Sequence, residues 1–219
     1  MTSEAAGLTP AAFHREKGVE DWRATAWSTQ ACYRADSLAH GAALIDHILT
    51  AADQHALSPD IDLHPEAINV RVLHLDDGRI PANTAAFAAT VSAKAVGLGL
   101  RADPSLVQSV GIAVAQHTSV DTRPFWMAAL GYDDIGDEDA GDPLCRGPYL
   151  AFHPWLDRTG RGRTHIDVSV PADQAEARVA AALAAGGRLV DDTRAPQWWT
   201  IASPDNHGID IAAWTDSHD

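Results

Sequence analysis

The chain has 219 residues, 46% of them apolar, and carries 30 acidic against 16 basic side chains for a formal net charge of -14. That length admits one large domain or two small ones with a true core, and the acidic balance excludes nucleic acid and anionic membrane surfaces, both of which need basic patches. No apolar run approaches a membrane span and MTSEAAGLTP lacks the charged-then-apolar pattern of a leader peptide, so a cytoplasmic protein is expected. Cys32 and Cys145 lie far apart and read as free thiols.

In chain order, DWRATAWSTQACYRA alternates as a strand or hairpin. DSLAHGAALIDHILTAADQ follows with an Asp-Ser cap, and Leu44, Ile45, Ile48, Leu49 and Ala52 share one helical face. INVRVLHL predicts a strand with Ile68, Val70 and Val72 on one face and Asn69 and Arg71 on the other. NTAAFAATVSAKAVGL predicts a second long helix, capped by Asn83, with Phe87, Val91 and Ala95 as its buried row. GLGLRADPS, with its glycines and proline, reads as a linker.

The second half holds a weak internal repeat. VGIAVA and THIDVSV each predict a strand, followed by a helix ending in MAALGY or LAAGGR. Each unit closes on a strand ending in tryptophan, GPYLAFHPW and HGIDIAAW. Two such units would build one sheet from similar halves, with a ligand cleft between them. The acidic stretch YDDIGDEDAGD reads as a solvated loop, because the glycine and spacing of a calcium-binding EF-hand are absent.

These stretches resemble two known families. GVEDWR, the helix running into SPDIDL, and the strand and helix after it are similar to pterin-4a-carbinolamine dehydratases. RPFWMAALGY, HIDVSV, AALAAGGRLVDD and APQWWTIASPDNHGIDIAAW resemble the glyoxalase-like branch of the vicinal oxygen chelate superfamily. Together the resemblances cover nearly the whole chain. They imply an α+β protein: a dehydratase-like antiparallel sheet with helices on one face in residues 1–103, then a glyoxalase-like domain of two βαβββ units in residues 104–219.

The dehydratase pattern places its acidic residue on Asp53 and its proline on Pro59. Its imidazoles fall on Leu57, Ser58 and Leu75, its aromatic residue on Pro65, and its later aspartate on Thr84. Loss of water from a carbinolamine needs a base for a ring N–H and an acid for the departing hydroxyl. The site therefore reads as eroded. His55, His64 and His74 remain nearby and read as surface or packing histidines. His74 is one residue out of register, which in a strand turns it to the face of Val70 and Val72.

The chelate superfamily takes metal ligands from the first and last strand of each repeat. The resemblance puts those positions on His165 and Asp210 in the second repeat, and on Gly111 and Ala151 in the first. Neither Gly111 nor Ala151 can ligate. His153 shares a strand face with Ala151. A catalytic metal usually takes three protein ligands, so neither a metal nor any other cofactor is expected. A His–Asp pair works without one, since the carboxylate orients the imidazole and favours its protonated form.

The expected catalytic residues are thus His165, Asp210, His153 and Asp53. Trp155, Trp199, Arg163 and Phe152 are the expected substrate-binding residues, while Trp214 and one of Trp198 and Trp199 belong to the core. The reading is an acid–base enzyme of lyase, dehydratase, cyclase or isomerase type. Its substrate would be a small cyclic metabolite, as in specialised, antibiotic-type biosynthesis. Two alternatives stand beside it: a 4a-hydroxytetrahydrobiopterin dehydratase with displaced histidines, and a non-catalytic protein that binds and sequesters a small molecule. The expected partner is a small molecule, with homo-oligomerisation left open.

Overall fold

A computed structural model describes residues 7–75, 78–115, 123–153, 164–202 and 208–215. The chain forms two compact units, residues 1–107 with 214–219, and residues 108–213. The division falls four residues beyond the 103/104 boundary read from sequence, because Val107 is buried with Cys32 and Ala67 of the first unit. Trp214 also packs against the first unit's core.

The first unit opens with a short helix α1 (Pro10–Phe13). A hairpin follows, made of β1 (Arg23–Thr25) and β2 (Ser28–Arg34). Its turn holds Trp27 at φ 61°. The expected single helix is split into α2 (Leu38–Ala42) and α3 (Ile45–His55). The Ser37 hydroxyl caps α2 by accepting the His40 N–H at 3.1 Å, and α3 stops at Ala56, a left-handed residue at φ 50°. Then come β3 (Asp60–His64), β4 (Ala67–Leu73), α4 (Thr84–Gly97) and β5 (Arg101–Ala102). Among the described residues the sheet runs β1-β2-β4-β3, with β5 also paired to β2. The expected linker thus contains a strand, whose Arg101 pairs with Arg34.

One face of this sheet carries the core. Ile68, Val70, Phe87, Val91 and Ala95 are fully buried, as the period-two and helical patterns require. The helical face read for α3 is narrower than expected. Leu44 and Ile48 are buried, but Leu49 is 52% exposed. Cross-strand partners share a face, so Gln30, Asn69, Arg71 and Asp60 occupy the other side of the sheet. There the Gln30 amide donates to Thr25 at 2.9 Å and accepts from Asn69 at 3.3 Å.

The second unit is a duplication. Its first copy is β6 (Ser109–Ala115), α5 (Arg123–Leu130), β7 (Asp133–Ile135), β8 (Asp139–Gly141) and β9 (Tyr149–His153). Its second is β10 (Thr164–Val170), α6 (Ala175–Ala184), β11 (Arg188–Asp191), β12 (Trp198–Ala202) and β13 (Gly208–Ala213). Gly186, at φ 99°, takes the left-handed position that ends α6. The sheet order is β11-β12-β13-β10-β6-β9-β8-β7. In each copy the first strand lies parallel to the last, β6 with β9 and β10 with β13, and β6 meets β10 antiparallel. The acidic stretch expected as a loop is the β7–β8 hairpin. No described helix is long and apolar enough to cross a membrane.

Candidate functional site

The faces of the second sheet follow from its register. Ile209 and Ile211 of β13 pair with Ile166 and Val168 of β10. On this side Val168, Val170, Ile201 and Ile211 pack with Ala175 and Val179 of α6. Val114, Leu150 and Phe152 form a second cluster against Trp126 and Met127 of α5. Apolar β-branched residues at alternate positions thus seat both helices on one face, and their polar neighbours are turned to the other.

A single row of residues crosses that other face. Thr200 of β12 pairs with Asp210 of β13, Asp210 with Asp167 of β10, Asp167 with Gly111 of β6, and Gly111 with Tyr149 of β9. In the next row Ala113 pairs with both His165 and Ala151, and Ala151 with Asp139 of β8. His153 pairs with Ala115 one step further. On the far side Trp198 pairs with Ala212, and the Arg194 guanidinium lies 5.3 Å from the Trp198 ring centroid. Asp167 and Asp210 are thus carboxylate neighbours at the centre of this sheet.

Tyr149 shapes the middle of the row. A side chain at Gly111 would place its Cβ 2.7 Å from the Tyr149 hydroxyl oxygen and 2.8 Å from Cε1. The phenol ring therefore lies directly over Gly111, and only glycine leaves room for it. No described residue hydrogen-bonds its hydroxyl. Burial first, then the charges of Asp167 and Asp139, push its ionisation well above the ordinary phenol range. Tyr149 is a neutral donor at physiological pH.

The sequence-derived site residues are distributed as follows. Asp210 lies on the polar face, beside Asp167 on the neighbouring strand. His165 and His153 have backbone positions on the same face, and their side chains lie outside the described residues. Trp155 and Arg163 lie wholly outside them. Phe152 is 2% exposed in the cluster beneath α5, and Trp199 packs with the α6 cluster. The tryptophan pair divides with the strand's alternation, so it is Trp198, not Trp199, that shares the face of Asp210. Asp53 is exposed on α3 of the first unit.

Among the described residues the first unit brings no constellation together around Asp53. Leu57 packs against the hydrophobic core, and His55 Nε2 stands 3.5 Å from the Thr90 hydroxyl of α4. His74 is buried at 5% exposure and His64 ends β3 in an exposed position. Asn83 precedes α4 as expected, yet its amide donates to the His55 carbonyl instead of capping the helix.

Sequence reasoning missed Tyr149 and passed over Asp167 as a site residue. The signal for both was strand parity: Tyr149 is two residues from Ala151, and Asp167 two from His165. The four positions assigned to metal ligands hold Gly111, Ala151, His165 and Asp210. The first two carry no donor atom, and a tyrosine ring covers the glycine. Among the described residues no group of three His, Cys, Asp or Glu side chains is arranged to hold a metal ion. This donor set does not fit a metal centre.

Comparison with curated proteins gives no match. Residues 111–212 match the family model of the glyoxalase-like domain. The match begins at the glycine under Tyr149 and ends two residues after Asp210, so it spans both repeats and the whole polar row. The second unit is thus similar to glyoxalase-like domains.

Proposed function

We propose that the second unit is an acid–base enzyme for a small cyclic metabolite, of lyase, cyclase or isomerase type, and that its site is the polar face of β13, β10, β6 and β9. The observation that carries this reading is the pair of carboxylates, Asp167 and Asp210, side by side at the centre of the sheet. Carboxylates on a polar sheet face are suitable partners for an acid–base group. His165 and His153, on the same face, are the proposed proton carriers. An imidazole changes charge near neutral pH, and a nearby carboxylate holds it ready to accept a proton. In this reading Asp210 and Asp167 orient and stabilise an imidazolium, which takes a proton from one substrate atom and returns it to another.

In the first unit the dehydratase resemblance lacks imidazoles at Leu57, Ser58 and Leu75, so we assign it no pterin dehydration. Purified protein offered the pterin carbinolamine is expected to leave its dehydration at the uncatalysed rate. Ordinary enzyme-like turnover would restore that activity and make His55 or His74 its carrier.

The test of the acid–base reading is solvent exchange. Wild-type protein is incubated in D2O with a panel of small cyclic ketones, enones and hydroxyketones, and proton NMR follows deuterium uptake and product. Removal of a general acid–base group typically slows such chemistry 10²–10⁴-fold. His165→Ala and Asp210→Asn are expected to lose exchange on that scale with unchanged circular dichroism. Exchange at wild-type rate in both variants overturns the assignment. Saturable binding without exchange in any compound establishes the second reading, a sequestering protein, which the donor-free Gly111 and Ala151 favour.

A further inference from the structure

We propose that the first unit has a binding site of its own, a hollow beside β2 and β5 where Arg34 and Arg101 hold the carboxylate of a small molecule with one negative charge. It stands independently of the acid–base reading of the second unit.

Three observations carry it. The first is a juxtaposition of like charges. Arg34 of β2 and Arg101 of β5 are direct cross-strand partners, so their side chains rise from one face with Cβ atoms about 5 Å apart. Like charges set opposite one another oppose strand pairing. The second is what the described residues leave unneutralised. Arg34 Nε donates to Asp103 Oδ2 at 2.9 Å. The other oxygen of Asp103 accepts from the N–H and the hydroxyl of Ser105. Those bonds, Ser105 first and Arg34 after it, hold the carboxyl below its usual range. Asp103 is thus fully committed. The two Nη atoms of Arg34 and the whole Arg101 guanidinium have no hydrogen-bond or ion-pair partner among the described residues. The third is space. Both arginines line a hollow of about 490 Å³, together with Asp103, Asp36 and Glu66, within the size range of small-ligand sites. The Ala35 N–H donates to the Glu66 carbonyl at 2.9 Å and ties these two segments of the lining together.

The ligand's charge follows from residues whose partners are all described. Two guanidiniums less one committed carboxylate leave a single positive charge where Arg34 and Arg101 meet. Guanidinium N–H donors match the two oxygens of a carboxylate. Asp36 and Glu66 line the same hollow with the opposite sign. Asp36 stands 3.6 Å from His40 Nδ1, and Glu66 has no ion-pair partner among the described residues. A second negative charge on the ligand would meet these two carboxylates, whereas an amino group would be drawn to them. The preferred ligand is therefore a monocarboxylate, held best when it also carries an amine. The lining is solvent-exposed at Arg34, Arg101 and Glu66, so each contact is screened and the affinity is modest.

Three four-carbon probes of different charge test this at low salt: butanoate, 4-aminobutanoate and succinate. The protein carries ¹⁵N-labelled arginine, and the Nε–H signals absent from Arg34→Lys and Arg101→Lys identify the two residues. Butanoate and 4-aminobutanoate are expected to shift both signals saturably and leave the other arginines in place. Succinate should bind at least threefold more weakly than 4-aminobutanoate. Arg101→Gln removes a charged hydrogen-bond donor and should weaken 4-aminobutanoate binding roughly tenfold, read at Arg34 Nε. Its thermal midpoint should not fall, because one of two opposed like charges is gone. Glu66→Gln should at least halve the preference for 4-aminobutanoate over succinate while leaving butanoate binding intact. Succinate binding as tight as 4-aminobutanoate, unchanged affinity in Arg101→Gln, or shifts spread evenly over all arginine signals overturns the proposal.

Discussion

Burial of one ionisable side chain decides its chemistry. Cys32 is 5% exposed on β2, against Ala67 and Val107. Desolvation, reinforced by the charge of Asp103 and opposed by Arg34, pushes its thiol up to about 11. Thiolate is the reactive form, so at pH 8 its fraction falls on the order of a hundredfold below that of an ordinary thiol. Cys145 is only half-buried. Iodoacetamide at pH 8 is therefore expected to label Cys145 and spare Cys32 in the native protein, and to label both after denaturation, as read by peptide mass spectrometry. Equal native labelling would contradict the burial of Cys32. The sign of the pH effect follows from the same shift. The folded thiol holds its proton more tightly than the unfolded one, so its contribution is fully present below about pH 8.5 and is lost as pH rises through about 11. Tyr33, raised first by burial, and Tyr149 act in the same direction. The denaturant midpoint should fall between pH 8 and pH 10.5, and a rising midpoint would exclude these groups as its cause.

Helix α3 separates what a sequence pattern shows from what it omits. Its apolar stripe correctly marks Leu44 and Ile48 as core, and both are fully buried. It also includes Leu49, which is 52% exposed on α3. Ile48→Ala is expected to cost about 2–5 kcal/mol, the usual penalty for truncating a buried aliphatic chain. Leu49→Ala should cost within about 0.5 kcal/mol, as surface substitutions do. Chemical denaturation of the two variants checks this, and comparable losses would place Leu49 in the core. Strands β4, β6, β10 and β13 were legible for the same reason, because period-two alternation reports one buried face. The β7–β8 hairpin was not, because its strands, DDI and DAG, are three residues each and too short to show an alternation. The candidate site was legible in part. Parity placed Asp210 and His165 on one face, but adjacency of β10 and β13 is a property of sheet order, which no local pattern contains. The tryptophan pair shows the cost of one residue: Trp198 and Trp199 are equally aromatic, and only register assigns the first to the polar face.

At the scale of the whole molecule, the net charge of -14 acts on both units at once. The ion pairs among the described residues lie mostly at the surface. Arg34–Asp103 at 2.9 Å has side chains 42% and 26% exposed, and Arg123–Asp134 at 3.5 Å has 29% and 61%. Exposed pairs of this kind contribute little to stability, and salt screens them readily. Repulsion among the excess carboxylates works against the folded state over longer distances, because compaction brings them together. The Debye length falls from about 30 Å at 0.01 M salt to about 8 Å at 0.15 M, so added salt weakens distant repulsion more than contacts at 3 Å. Screening should therefore stabilise this protein. Raising sodium chloride from about 10 mM to about 150 mM is expected to add on the order of 1 kcal/mol, seen as an increase of about 2–4 °C in the midpoint followed by circular dichroism. A protein held together mainly by its ion pairs would shift the other way. A constant or falling midpoint would show that the surface pairs outweigh the net charge.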